Sequence, residues 1–292
     1  MNKFRPIEKK YQGSPFHMVG DGFRVMNFFP NGNALAQRLN PFILLDYNPA
    51  HYFAATKTPR GVGAHPHRGF ETVTIAYQGA VAHHDNAGHQ GIIEAGDVQW
   101  MTAGSGVLHK EYHEKTFASQ GGLLQMVQLW VNLPQQFKMT QPHYQALTKQ
   151  DMNYSVLPDN QGTVKVIAGE YTGIKGLAST FTPIHLFDMR LVAGGQMSLD
   201  LPANYNTALL VLEGELTINQ SFPAKQNELI VFENREGTLL IENGQSPATI
   251  LLLSAEPLNE PIAHYGPFVM NTRVELQQAM LDFNSGKFGH LN

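Results

Sequence analysis

The apolar residues of this chain come in short bursts. Thr72-Val73-Thr74-Ile75-Ala76-Tyr77, the stretch from Leu123 to Val131, Ala208-Leu209-Leu210-Val211-Leu212 and Thr249-Ile250-Leu251-Leu252-Leu253 are each of strand length and β-branched, apolar or alternating in character. Turn formers such as Asp85-Asn86-Ala87-Gly88 lie between such runs, and 27 glycines and 17 prolines are spread along the 292 residues. The pattern predicts a mostly β protein. One good helix is expected over 272–284, where Thr272-Arg273-Val274-Glu275 has capping-box spacing ahead of Leu276, Ala279, Met280 and Phe283, with Gly286 to stop it. A weaker helix is expected around Pro142 to Gln150.

A faint echo links the two halves. Tyr77-Gln78-Gly79 closes one strand and leads through a turn to Gly96-Asp97 and another; Leu212-Glu213-Gly214-Glu215 leads likewise to Asn227-Glu228-Leu229-Ile230-Val231. Two similar β units in tandem are expected, divided as 1–140 and 141–292, with the connection near residues 135 to 160.

Several function classes fall away on composition. There is no cysteine, which removes disulfides, thiolate zinc sites and cysteine nucleophiles, so any metal must be held by His, Asp and Glu. Twenty Lys plus Arg against 24 Asp plus Glu give a formal charge of −4 and no clustered basic stripe, so direct nucleic-acid binding is not expected. The N-terminus lacks the apolar run of a signal peptide, and no stretch has the length of a membrane span. A soluble, intracellular protein is the expectation, cytoplasmic or, in a eukaryote, nuclear. Nucleophile elbows, phosphate-cradling loops and His-Glu-x-x-His helices are not found in the sequence.

What remains is histidine. Eight of the 13 histidines fall between His51 and His113, whereas the second half holds only His185, His264 and His290. Alternate residues of an extended strand share a face, so His65 pairs with His67, and His109 with Glu111. Two such pairs facing each other make a mononuclear site for a first-row transition metal, in the first unit and not in its twin. Extending the alternation from His67 through Gly69 places Glu71 inward, as a fourth ligand or as an acceptor that fixes a histidine tautomer. His113 continues the run from His109 and Glu111 but is expected not to ligate. His83, His84 and His89 are expected in a hairpin or loop, and His51 and His143 are expected to be ordinary surface or partly buried side chains.

His65-Pro66-His67-Arg68-Gly69-Phe70-Glu71-Thr72-Val73, the stretch from Gly96-Asp97-Val98-Gln99-Trp100 to His109-Lys110-Glu111, Leu129-Trp130-Val131-Asn132-Leu133 and Gly266-Pro267-Phe268-Val269-Met270-Asn271-Thr272 together resemble the pirin family of the cupin superfamily. The resemblance implies an all-β bicupin: two antiparallel jelly-roll barrels packed face to face, a C-terminal helix, and metal in the N-terminal barrel alone. It also implies Fe(II), or another divalent first-row metal, held by His65, His67, His109 and Glu111, with Glu71 behind the ligands. Some bacterial relatives act as quercetin 2,3-dioxygenases. That implies a flavonol and O2 as substrates and Glu111 as the base. An apolar slot with a few polar groups is then needed, and Arg68, Phe70, Trp100, Met101 and Gln128 are expected either behind the ligands or around that slot. Eukaryotic pirins resemble nuclear coregulators, which implies an alternative: a metal- or redox-dependent regulatory protein, without turnover, that binds a transcription or metabolic partner.

Overall fold

The computed structural model describes residues 4–30 and 32–291. Two compact units divide the chain, one formed by Ser14–Gln150 with Leu258–Asn292, the other by Met1–Gly13 with Asp151–Pro257. The connection lies between Gln150 and Asp151, but each end of the chain belongs with the opposite half, unlike the expected 1–140 and 141–292. Backbone pairing is the reason at the N-terminal end, where Ile7–Gln12 joins a sheet by pairing antiparallel with Glu228–Phe232. At the other end Arg68 and Phe268 form a parallel bridge, and Val269 N–H donates to the Arg68 carbonyl at 3.0 Å.

The first unit is a double-sheet barrel. Its seven-stranded sheet runs His143–Leu147, Val98–Thr102, Phe70–Gln78, Gly122–Asn132, Phe42–Phe53, Phe23–Phe29 and His17–Val19 in spatial order. Facing strands Gly61–His67, Val107–His113, Ala80–Asp85 and Gln90–Glu94 make a four-stranded sheet. The segment expected as a helix around residues 142–150 is instead the edge strand His143–Leu147, paired from His143↔Thr102 to Leu147↔Val98. Five residues with a free partner edge beside them gain more from a ladder than from a single helical turn. The C-terminal helix forms as expected, over Arg273–Asn284, with Thr272 and Glu275 making a reciprocal capping box.

The second unit repeats the plan with a seven-stranded and a four-stranded sheet. Its interior is filled by apolar side chains, among them Phe187, Met189, Leu209, Val211, Ile230, Phe232, Ile250 and Leu252. Each such burial contributes about 1.5 to 3 kcal/mol. The echo between the halves has a backbone cause: Gly79 and Gly214 both end a strand at positive φ, +80° and +92°, where a side chain would meet the neighbouring strand. What differs is the lining. On the four-stranded sheet of the first unit, inward positions carry imidazoles and carboxylates.

Candidate metal centre

Strand Val107–His113 alternates strictly, with residues 107, 109, 111 and 113 buried and those between half-buried. It lies between Gly61–His67 and Ala80–Asp85, so His109 faces His65 on one side and Asp85 on the other, while Glu111 faces His83. Directly opposed residues share a face. Three strands therefore deliver His65, His67, His109, Glu111 and His83 to one place.

Two overlapping sets of donors result. The ligand atoms of His65, His67 and His109 all lie within 4.8 Å of one another, as do those of His83, His109 and Glu111. Ring centroids in the first set are 4.2 Å apart for His65 and His109, 4.7 Å for His67 and His109 and 4.8 Å for His65 and His67. Burial, reinforced by the neighbouring imidazoles, holds His67 and His109 well below the usual histidine range. They are therefore neutral, the form that ligates. His65 Nδ1 lies 2.8 Å from the Gly63 carbonyl, which fixes the tautomer that leaves Nε2 as the acceptor. His67 Nδ1 and His109 Nε2 are buried and accept or donate no hydrogen bond among the described residues. Unpartnered buried nitrogens in a cluster of neutral imidazoles with a carboxylate at its edge fit a first-row divalent cation.

His83, expected in a hairpin or loop, lies in the first strand of the hairpin formed by Ala80–Asp85 and Gln90–Glu94, where it is fully buried rather than in the turn. Its Nδ1 is 3.4 Å from His109 Nδ1, and its Nε2 is 3.6 Å from Asp85 Oδ2. Asp85 in turn binds His89 Nδ1 at 2.9 Å and, through Oδ1, the N–H groups of Ala87 and His89. Burial pushes the Asp85 carboxyl up, yet His83 and His89 together hold it below the ordinary value. The signal was available: His83 and Asp85 stand two apart, as do His65 and His67. His113 points elsewhere, with Nε2 2.7 Å from the Gly22 carbonyl and its ring against Phe53 and Phe117.

Glu71, expected beside the imidazoles, lies on the opposite face of its sheet. Gly69, at φ +86°, turns the chain from one sheet into the other, so the alternation does not run through it; a Cβ there would overlap the Val269 carbonyl oxygen. In Phe70–Gln78 it is Thr72 and Thr74 that pair with the cavity residues Trp130 and Gln128, whereas Glu71 pairs with Thr102 and accepts its hydroxyl at 2.7 Å. Burial pushes Glu71 up to about 7 against the opposing pull of the Thr102 hydroxyl and the Trp100 indole.

A cavity of about 280 Å³ opens onto His65, His67 and Glu111, with Phe23, Val25, Leu44, Val62, Met126 and Trp130 as apolar walls. Of the expected slot residues, Gln128 lines it. The others stand apart from the lining. Phe70 is fully buried behind it, stacked on Trp130 with centroids 4.3 Å apart. Trp100 shares the Glu71 face by pairing with Val73, and Met101 packs with Ala103 and Val107. Arg68 is taken up by the Ser105 carbonyl at 2.7 Å and Asp282 at 2.9 Å. Trp130, which packs edge-on against His67 at 5.1 Å, was missed as a wall residue.

A double-sheet barrel in each unit, one packed solid and the other holding an imidazole cluster, defines a bicupin with a metal-binding type of centre in one barrel. The chain belongs to the pirin family: Pirin matches residues 22–131, and the Pirin C-terminal cupin domain matches residues 186–289. A Pseudomonas aeruginosa protein named "Putative quercetin 2,3-dioxygenase PA2418" is 47% identical over 278 residues, covering 95% of this chain and 96% of that protein. The crystal structure of a quercetin 2,3-dioxygenase from Acinetobacter baumannii superimposes with a TM-score of 0.94 at 46% identity, covering 99% of this chain and 100% of that one. Human pirin is 36% identical over 263 residues, covering 88% of this chain and 86% of its own. Among the described residues no helix is long and apolar enough to cross a membrane.

Proposed function

We propose that this chain is an iron(II)-dependent dioxygenase that cleaves flavonols such as quercetin with O2. The observation that carries the proposal is the cavity itself, where a donor cluster of neutral imidazoles and a carboxylate meets an open slot with apolar walls. An open approach of this kind supports turnover over a purely regulatory role, and the names of the relatives supply the substrate class.

His65, His67, His109 and Glu111 would hold the metal. When bound there, it supplies Lewis acidity toward a coordinated hydroxyl and the electron exchange needed for O2 chemistry. Glu111 takes the proton from the flavonol 3-hydroxyl. Thr74 Oγ, which donates to Gln128 Oε1 at 2.7 Å and stands 3.5 Å from Glu111 Oε1, steadies the Gln128 end of that wall. Trp130 and Met126 give a flat ring an apolar surface and keep bulk water from the reacting carbon atoms.

The test is anaerobic loading with iron followed by quercetin and oxygen. Oxygen uptake with release of carbon monoxide is the expected result; neither signal from a chain with measured full iron occupancy overturns the proposal.

A further inference from the structure

The floor of the cavity carries a polar row across a mainly apolar surface. Asn27 pairs with Asp46, Asp46 with Gln128, Gln128 with Thr74 and Thr74 with Gln99, each on the next strand of the seven-stranded sheet. Directly opposed residues point to the same side, so the row is continuous. Thr74, next to the Gln99 end of the row, meets Glu111. Asp46 stands two strands away from Thr74, about 10 Å along the sheet. The rows beside it place Leu44 and Trp130 on one side and Met126 with Asn48, whose amide is turned to the Arg24 carbonyl, on the other, all lining the same cavity as Asp46 and Gln128.

Asp46 is half-buried among these residues. Asn27 Nδ2 donates to its Oδ1 at 2.5 Å, and no described residue donates to Oδ2. Burial pushes its carboxyl up, opposed by Asn27 and the nearby His17. A carboxylate on a drying apolar floor costs free energy unless donors reach it. Here the cavity is the side from which a donor can come.

We propose that Asp46 selects the far end of the substrate, accepting hydrogen bonds from two adjacent phenolic hydroxyls on the ring that lies away from Glu111. This rests on the flavonol reading of the site. Two neighbouring hydroxyls offer two parallel donors to the two oxygens of one carboxylate, a bidentate match that a single hydroxyl or an unsubstituted ring does not make. The separation along the row suits an elongated, multi-ring ligand held at both ends.

Anaerobic titration of the metal-loaded full chain with two flavonols tests it: quercetin, which has adjacent B-ring hydroxyls, and galangin, which has none there. The expected result is a preference for quercetin of about tenfold or more. In Asp46→Asn that preference falls to within about threefold while metal content is unchanged. The 3′,4′-di-O-methyl ether of quercetin, which cannot donate, binds the wild-type chain as weakly as galangin, a comparison that needs no variant. Equal binding of quercetin and galangin by the wild-type chain, or an undiminished preference in Asp46→Asn, overturns the role of Asp46 and leaves the flavonol reading intact. Binding of neither flavonol to the metal-loaded wild-type chain overturns both.

Discussion

His83 Nδ1 lies 3.4 Å from His109 Nδ1, and Asp85 Oδ2 lies 3.6 Å beyond on the far side of the His83 ring. The pair forms a backing that turns His109 toward the cluster and presents its free nitrogen. Removing such backing typically weakens metal affinity 10- to 100-fold. Asp85→Asn retains an oxygen for the turn at Ala87 and His89 and is the gentler substitution; His83→Ala is the more severe. Competition against a chelator of known affinity measures the effect, and unchanged affinity in both variants removes the backing role.

On the proposed reading, Glu111 is where holding a metal and using it can be separated. In Glu111→Gln the imidazoles of His65, His67 and His109 remain close enough to retain a cation, but the carboxylate beside them, the proposed base, is gone. Turnover of quercetin should fall by about 100-fold or more with metal content preserved. Metal analysis and oxygen uptake on the same sample decide it, and retained turnover removes Glu111 from the proton transfer.

Glu71 makes stability depend on pH. Its carboxyl titrates near 7 when folded, against an ordinary value of 4.5. The folded chain thus holds a proton that the unfolded chain has released, so this contribution is fully present below about pH 4.5 and is lost as pH rises through about 7. Glu71→Gln keeps an oxygen for the Thr102 hydroxyl and carries no charge. It should melt higher than the wild-type chain at pH 8, by the equivalent of about 1 to 3 kcal/mol, and show a much smaller advantage at pH 4. An equal offset at both values would show that burial of the charge is not the cause.

Lys138 is a buried tie. Its Nζ donates to the Gly69 carbonyl at 2.8 Å, the Val269 carbonyl at 2.8 Å and Asn132 Oδ1 at 2.5 Å. Lys138→Met fills similar space and leaves three buried acceptors without this donor, each costing about 1 to 3 kcal/mol. Because Gly69 is the turn that follows His67, the variant should lose metal affinity as well as thermal stability. Calorimetry with and without bound metal reads both, and a lowered melting temperature with unaltered affinity would confine Lys138 to the fold.

Strand positions were legible because each apolar run is bounded by turn residues; Leu123 to Val131, for example, lies inside the strand Gly122–Asn132. The imidazole pairs were legible for the same reason, since period-two alternation puts His65 with His67 and His109 with Glu111. Alternation misleads where it is carried across a turn. Gly69 ends one sheet and begins another, and that single left-handed residue moves Glu71 to the opposite face. Long-range pairing was not legible at all: no local signal says that Ile7–Gln12 joins Glu228–Phe232, or that Pro267 closes a cavity whose donors end at residue 111.

That last feature sets an order of events during synthesis. The donors of the centre have all emerged from the ribosome by Glu111, yet Pro267, which lines the same cavity, emerges only after the entire stretch Asp151–Pro257 has been made. For that interval the nascent cluster is open to any cation that arrives. An ion held by these donors could therefore arrive before the cavity is complete, and Pro267 adds the final part of its lining.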